Sequence, residues 1–165
     1  MTDTLSASRK PLTPAQALLF GTLTVGTLDI LDAFLFFYLY REVSPIRILQ
    51  SIAAGVLGRE SFQGGIPTAA LGLLLHYFIA FMVVLTYWLA SRRMPGLAHR
   101  PLLYGLLYGL AVYVVMNFVV VPLSAAGSGI RIPATPVLIN GLLIHALGVG
   151  LPSALFARAA SPGER

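Results

Sequence analysis

Apolar residues dominate long stretches of this chain, and the polar residues within those stretches are few. Four of the stretches reach the roughly 20 residues that a helix needs to cross a bilayer. They cover residues 15–40, 68–90, 102–123 and 136–157. The pattern predicts an all-α integral membrane four-helix bundle over residues 15–158, flanked by a disordered tail at 1–14 and a short tail at 159–165.

A shorter segment, residues 45–58, lies between the first and second stretches and predicts a helix that does not span. Helix start and stop signals frame it, namely Ser44 as N-cap, Pro45 as first residue and Gly58 as the end. Its length is about 20 Å as a helix, too short to cross a bilayer. A helical wheel places Arg47 and Gln50 on one side and aliphatic residues on the other. We therefore expect an amphipathic interfacial or re-entrant helix at the mouth of the bundle.

The composition supports a membrane protein and excludes several other classes. Hydrophobic residues make up 57% of the chain, charged residues 10%, and the mean hydropathy is +0.83. A soluble domain carries about 25% charged residues. The lipid bilayer is therefore the expected partner, and nucleic acid is not, despite the net charge of +5. Because the chain has no cysteine, disulfides, thiolate metal sites and a cysteine nucleophile are excluded. A homo-oligomer and a larger membrane complex both remain open.

The basic residues predict the orientation of the four spans. With an even number of crossings, both tails and the loop at 91–101 share one side of the membrane. That side holds seven of the 11 lysines and arginines, and the other side holds four. The positive-inside rule therefore favours a cytoplasmic location for both termini.

Polar residues inside the spans predict a buried site. They are Asp29 and Asp32 in the first span, His76 in the second, Asn117 in the third, and Asn140 and His145 in the fourth. Measured from each span's midpoint, Asp29 lies near the centre of the membrane and the others lie about 2–10 Å to its non-cytoplasmic side. All four spans thus carry their strongest polar groups in one half of the bilayer.

The cost of burying these polar groups in a membrane leaves two interpretations of why the spans contain them. An aspartate at a helix centre is unfavourable by about 2.5–3.5 kcal/mol on insertion scales, so it must be protonated, paired or hydrated. A functional site that binds a proton, a cation or a small ligand satisfies that requirement. A polar network that only fixes helix packing satisfies it equally. For a functional site we expect Asp29 or Asp32 within hydrogen-bond reach of His76 or His145, directly or through one water, with Asp32 and His76 closest in depth. Aspartates beyond that reach would leave only the structural interpretation.

The second and third spans resemble a family of small, uncharacterised bacterial membrane proteins. The resemblance rests on the stretches GRESFQGGIPTAALGLLLHYFIA, LASRRMP and YGLAVYVVMNFVVVPLS. The chain is also similar to the YagU-like inner-membrane family in the spacing of Gly105, Gly109, position 117 and Pro122, although Asn117 stands where that family has histidine. The spacing of His76 and Tyr87, and the histidine at 145, match as well. The resemblance implies a bacterial inner-membrane location and no particular reaction.

Three other functions remain as alternatives. His76 and His145 are at similar depths and suit the axial ligands of a b-type haem, although the neighbouring aspartates do not suit a neutral porphyrin pocket. A membrane enzyme is the second alternative, but no nucleophile has an acid–base partner at a readable spacing. The third is an accessory or structural subunit. The sequence leaves cofactor and metal undecided.

Overall fold

The chain is all α-helical in the computed structural model, which describes residues 11–127, 129–130 and 132–161. No strand occurs in these ranges. In chain order the helices are α1 (Pro14–Arg41), α2 (Pro45–Leu57), α3 (Gly65–Arg93), α4 (Gly96–His99), α5 (Pro101–Leu123) and α6 (Thr135–Ala159). Four of them, α1, α3, α5 and α6, are long and apolar enough to cross a membrane. The predicted four-helix membrane fold is confirmed. Most residues of the two predicted tails lie outside the described ranges.

Local signals at both ends of the chain bring the start of α1 next to the end of α6. Thr13 and Gln16 form a reciprocal capping box, in which each backbone N–H donates to the other's side chain. The N–H of Leu12 donates to the carbonyl of Ala159 over 2.8 Å. The first and last helices therefore meet at one end of the bundle, as an even number of crossings requires.

Glycines bring the four long helices close together. Around the bundle the order is α3, α1, α6 and α5, with neighbours in this order in contact. Gly105 and Gly109 of α5 lie directly against the backbone of α6, because a Cβ at Gly109 would overlap the carbonyl of His145. Small residues at such crossings let backbones approach, and membrane helices gain their packing energy in this way.

One half of the bundle is closed by two apolar clusters. Val25, Val84 and Val149 form the centre of the first, and the second surrounds Tyr87 and Ala154. Both clusters lie toward the end at which α1 begins. The helices separate toward the opposite end, and this separation leaves room for a cavity.

Helix α2 covers that open end. Ser44 caps its start and Gly58 ends it, as the sequence predicts. A Cβ at Gly72 would overlap the Leu49 carbonyl, so α2 lies directly on α3. The wheel was wrong about Gln50, which is buried and donates to the carbonyl of Gly65 over 3.1 Å. The Gln50 amide thus joins α2 to the start of α3, and this contact holds the side chain inside the fold.

Two prolines are each preceded by a widened helical turn. A π-helical turn, Met116–Val120, ends two residues before Pro122 in α5, and a second, His145–Gly150, ends two residues before Pro152 in α6. Proline supplies no N–H to the preceding turn, which favours such departures from α-helical bonding. Single π-turns occur often at functional sites, and both of these turns border the cavity.

Candidate functional site

A cavity of about 520 Å³ lies in the open half of the bundle. All four long helices and α2 contribute to its wall, which is mostly apolar. The six polar residues predicted from the sequence all line it, namely Asp29, Asp32, His76, Asn117, Asn140 and His145. Val25, Ala80 and Val149 form its floor, where it meets the closed half. The structure therefore brings the predicted polar layer together around one space.

Asp32 is held by a hydrogen bond between helices. The side-chain amide of Asn140 in α6 donates to Oδ2 of Asp32 in α1 over 2.7 Å. We expected His76 to be the partner of Asp32, and this pairing is wrong. Because α1 packs between α3 and α6, its face bearing Asp32 is turned toward α6 rather than toward α3.

Asp29 lies near His145 without a hydrogen bond to it. The distance between Oδ1 of Asp29 and Nδ1 of His145 is 4.0 Å, which permits an ion pair when the ring is protonated. Nδ1 of His145 is 2.9 Å from the carbonyl of Gly141. A carbonyl only accepts, so Nδ1 carries the hydrogen, and the neutral ring keeps Nε2 as an acceptor. Within the described chain Asp29 has no hydrogen bond, and its side chain is 28% exposed.

His76 connects α3 to α1 from the opposite side of the cavity. Its Nε2 lies 2.8 Å from the carbonyl of Gly26, and the residue is 9% exposed. By the same reasoning Nε2 donates, and the neutral ring keeps Nδ1 as an acceptor. Each histidine thus donates from one ring nitrogen to a backbone carbonyl. Neither histidine forms a hydrogen bond to a carboxylate among the described residues.

Tyr113 is a member of the site that the sequence analysis missed. It is 4% exposed, lines the cavity, and its buried hydroxyl has no hydrogen-bond partner in the described chain. Its ring stands edge-on to His145 at 5.3 Å. Asn117 lies one turn further along α5 and donates to the Tyr113 carbonyl over 3.0 Å. The spacing of Gly109, Tyr113 and Asn117 places all three on one face of α5, but this spacing alone does not distinguish Tyr113 from an aromatic residue that only packs.

The cavity wall carries two acidic side chains, Asp29 and Asp32, and neither lysine nor arginine. Helix α2 lies over the mouth and contributes Ser51 and Ile52 to the lining. Its far end is tied to the segment after α5, since the N–H of Ala125 donates to the carbonyl of Gly55 over 3.0 Å. The carboxylates are thus enclosed by protein on the side where α2 lies.

The donor set does not resemble a metal centre. Among the described residues no three histidine, cysteine, aspartate or glutamate side chains form a group that could hold a metal ion. The wall instead offers two carboxylates, two amides, two imidazoles and other aromatic rings around an apolar space. Such a wall suits an organic molecule that carries a positive charge or several hydrogen-bond donors.

Comparisons with known protein families, with curated proteins and with solved structures found no match for this chain. The resemblance to small bacterial membrane proteins stays a prediction from the sequence. The cavity and its polar residues are accordingly the basis for any functional conclusion.

Proposed function

We propose that this multi-pass membrane protein binds a small organic cation in its cavity, with the Asp29 carboxylate as the charge partner. We place it in the bacterial inner membrane with both termini cytoplasmic, on the distribution of basic residues and the family resemblance. One observation carries the proposal: two carboxylates line a cavity that has neither lysine nor arginine on its wall.

The cost of the carboxylates supports a cationic ligand. An isolated ionised carboxylate is strongly disfavoured away from water unless it is paired. Asn140 supplies a hydrogen bond to Asp32, and His145 approaches Asp29 only to 4.0 Å. A ligand ammonium at Asp29 would provide the opposite charge and the hydrogen-bond donors that the described side chains do not.

The size and lining of the cavity favour an organic cation over a proton or a bare ion. Ligand sites measure about 300–1,000 Å³ and are mostly apolar with a few placed polar groups. The volume of about 520 Å³ falls in this range. Phe36, Phe37 and Tyr113 add aromatic rings to the wall, and ring faces attract cations. The unpartnered hydroxyl of Tyr113 is a further group that a ligand could satisfy.

A structural role is the second candidate, and specific contacts favour it. The Asn140–Asp32 bond joins α6 to α1, and the His76–Gly26 bond joins α3 to α1. Such bonds hold membrane helices together. A structural role explains Asp32, whose side chain joins two helices, but it does not explain Asp29. A substitution at Asp29 therefore distinguishes ligand binding from a structural role.

The test compares benzylamine, which is protonated at neutral pH, with benzyl alcohol, which has a similar shape and no charge. A ligand at 100 times its Kd stabilises a protein by about 2.7 kcal/mol. We therefore expect benzylamine to raise the Tm of the purified protein in detergent by several degrees, and benzyl alcohol to leave it unchanged.

Two isosteric variants provide the controls. Asp29→Asn should abolish the benzylamine shift, whereas Glu42→Gln, which removes an exposed carboxylate just after α1, should retain it. Equal shifts with amine and alcohol, or a full benzylamine shift in Asp29→Asn, would contradict cation binding at this site. The structural candidate would then be the better account.

A further inference from the structure

An apolar groove lies on the outside of the bundle, between α3 and α5, and borders the cavity. The groove measures about 360 Å³. Five side chains line both spaces, namely Ile79, Val83, Val112, Met116 and Val120. These side chains form a wall that the cavity and the groove share.

A polar contact closes one end of the groove. The hydroxyl of Tyr108 in α5 donates to the Val83 carbonyl in α3 over 2.7 Å. The Tyr108 ring also stands edge-on to Tyr87 at 5.0 Å. The two helices are thus joined at this level, and the groove extends from here toward the half that holds the cavity.

The outer rim of the groove faces the region where lipid would lie. Met82 is 43% exposed and Val115 is 49% exposed, and both belong to membrane-spanning helices. Thr86, the polar residue of α3 in the groove, donates its hydroxyl to the carbonyl of Met82 and so offers no free donor. The groove therefore suits a hydrocarbon chain rather than a polar group.

We infer that the ligand of this site is a long-chain primary amine that reaches the cavity sideways from the bilayer. Its ammonium lies at Asp29, and its alkyl chain occupies the groove between α3 and α5. The inference rests on the proposed function. It adds the wall of aliphatic side chains that groove and cavity share, between which the alkyl chain passes, and the contrast between an acidic cavity and an apolar groove. An amphipathic amine matches both ends, and it already resides in the membrane that the groove faces.

The test uses decylamine with a diazirine at the end of its chain, added to the protein in nanodiscs and activated by light. We expect peptide mapping to find the label on groove residues of α3 and α5, including Met82 and Val115. Asp29→Asn should remove most of this labelling, and excess benzylamine should compete with it. Equal labelling of the lipid-exposed residues Leu35 and Leu39 of α1 would overturn the inference.

A matched pair of variants blocks the groove or leaves it open. Ala111 lines the groove and is exposed, and Ala111→Trp fills the space beside it. Leu110 is also exposed but lies outside the groove lining, so Leu110→Trp is the control. Ala111→Trp should lose the groove label and retain the benzylamine Tm shift, which also shows that it is folded. Leu110→Trp should retain both.

The Tm experiment and the photolabelling experiment test different claims, so either can fail without the other. A missing benzylamine shift in the unmodified protein would contradict the proposed function. A normal benzylamine shift together with unspecific labelling, or with full labelling of Ala111→Trp, would contradict only the lateral route and the alkyl chain.

Discussion

Replacing Asn140 by alanine removes the hydrogen bond that joins Asp32 to α6. The bond is 2.7 Å long and its acceptor is a carboxylate, so it belongs to the stronger class. Bonds between membrane helices contribute about 0.6 kcal/mol on average and up to about 1.7 kcal/mol. For Asn140→Ala we therefore expect a loss of about 1.5 kcal/mol in the free energy of unfolding, near the upper end of that range.

Asn117 provides the matched control. Its amide also lines the cavity, but it bonds the Tyr113 carbonyl within its own helix. Asn117→Ala therefore breaks no connection between helices and should cost no more than about 0.5 kcal/mol. Equilibrium unfolding in mixed micelles, followed by circular dichroism as the fraction of dodecyl sulfate rises, measures both variants.

A double-mutant cycle with Asp32→Ala isolates the pair. We expect a coupling energy of about 1 kcal/mol between Asn140 and Asp32, because the bond is lost in either single variant. The reasoning is refuted if Asn140→Ala is no less stable than Asn117→Ala, or if the cycle gives no coupling.

Three further predictions concern packing, the cover of the cavity and topology. Gly109→Ala should destabilise the protein by about 1–3 kcal/mol, because the added Cβ meets backbone atoms of α6. In the same unfolding assay Gly96→Ala should be neutral, because its Cβ meets nothing within 4 Å. Gln50→Ala should speed amide hydrogen exchange in α2, because the bonds from Gln50 to the start of α3 are lost; unchanged exchange would count against the contact. The chain has no cysteine, so single introduced cysteines report the orientation. Met94→Cys should react with an impermeant thiol reagent only from the cytoplasm, and Ile130→Cys only from the other side. The reverse pattern would contradict the proposed orientation.

The fold was predictable because its signals are local. A span needs about 20 apolar residues, and the ends of α2 follow from Ser44 and Gly58 alone. The polar lining was predictable for an energetic reason. Charged and amide side chains avoid lipid, so the interior of the bundle was the only favourable position for Asp29 or Asn140.

The pairing within the site depended on information that no single segment carries. Asp32 bonds Asn140 rather than His76 because of the order of helices around the bundle, and hydropathy does not encode this order. Tyr113 resembles any aromatic residue in an apolar span until its buried hydroxyl proves to have no partner. The inward position of Gln50 depends on a carbonyl of α3, which a helical wheel of α2 does not include.

Solid-state NMR can measure directly whether a ligand ammonium lies at the cavity carboxylates. The chain contains three aspartates, Asp3, Asp29 and Asp32, so labelling the aspartate Cγ with carbon-13 introduces few signals. With ¹⁵N-benzylamine bound, we expect dipolar recoupling between the amine nitrogen and an aspartate Cγ at about 4 Å, the separation of a hydrogen-bonded ion pair. The signal should vanish in Asp29→Asn. Bound benzylamine that shows no recoupling to any aspartate would contradict the account.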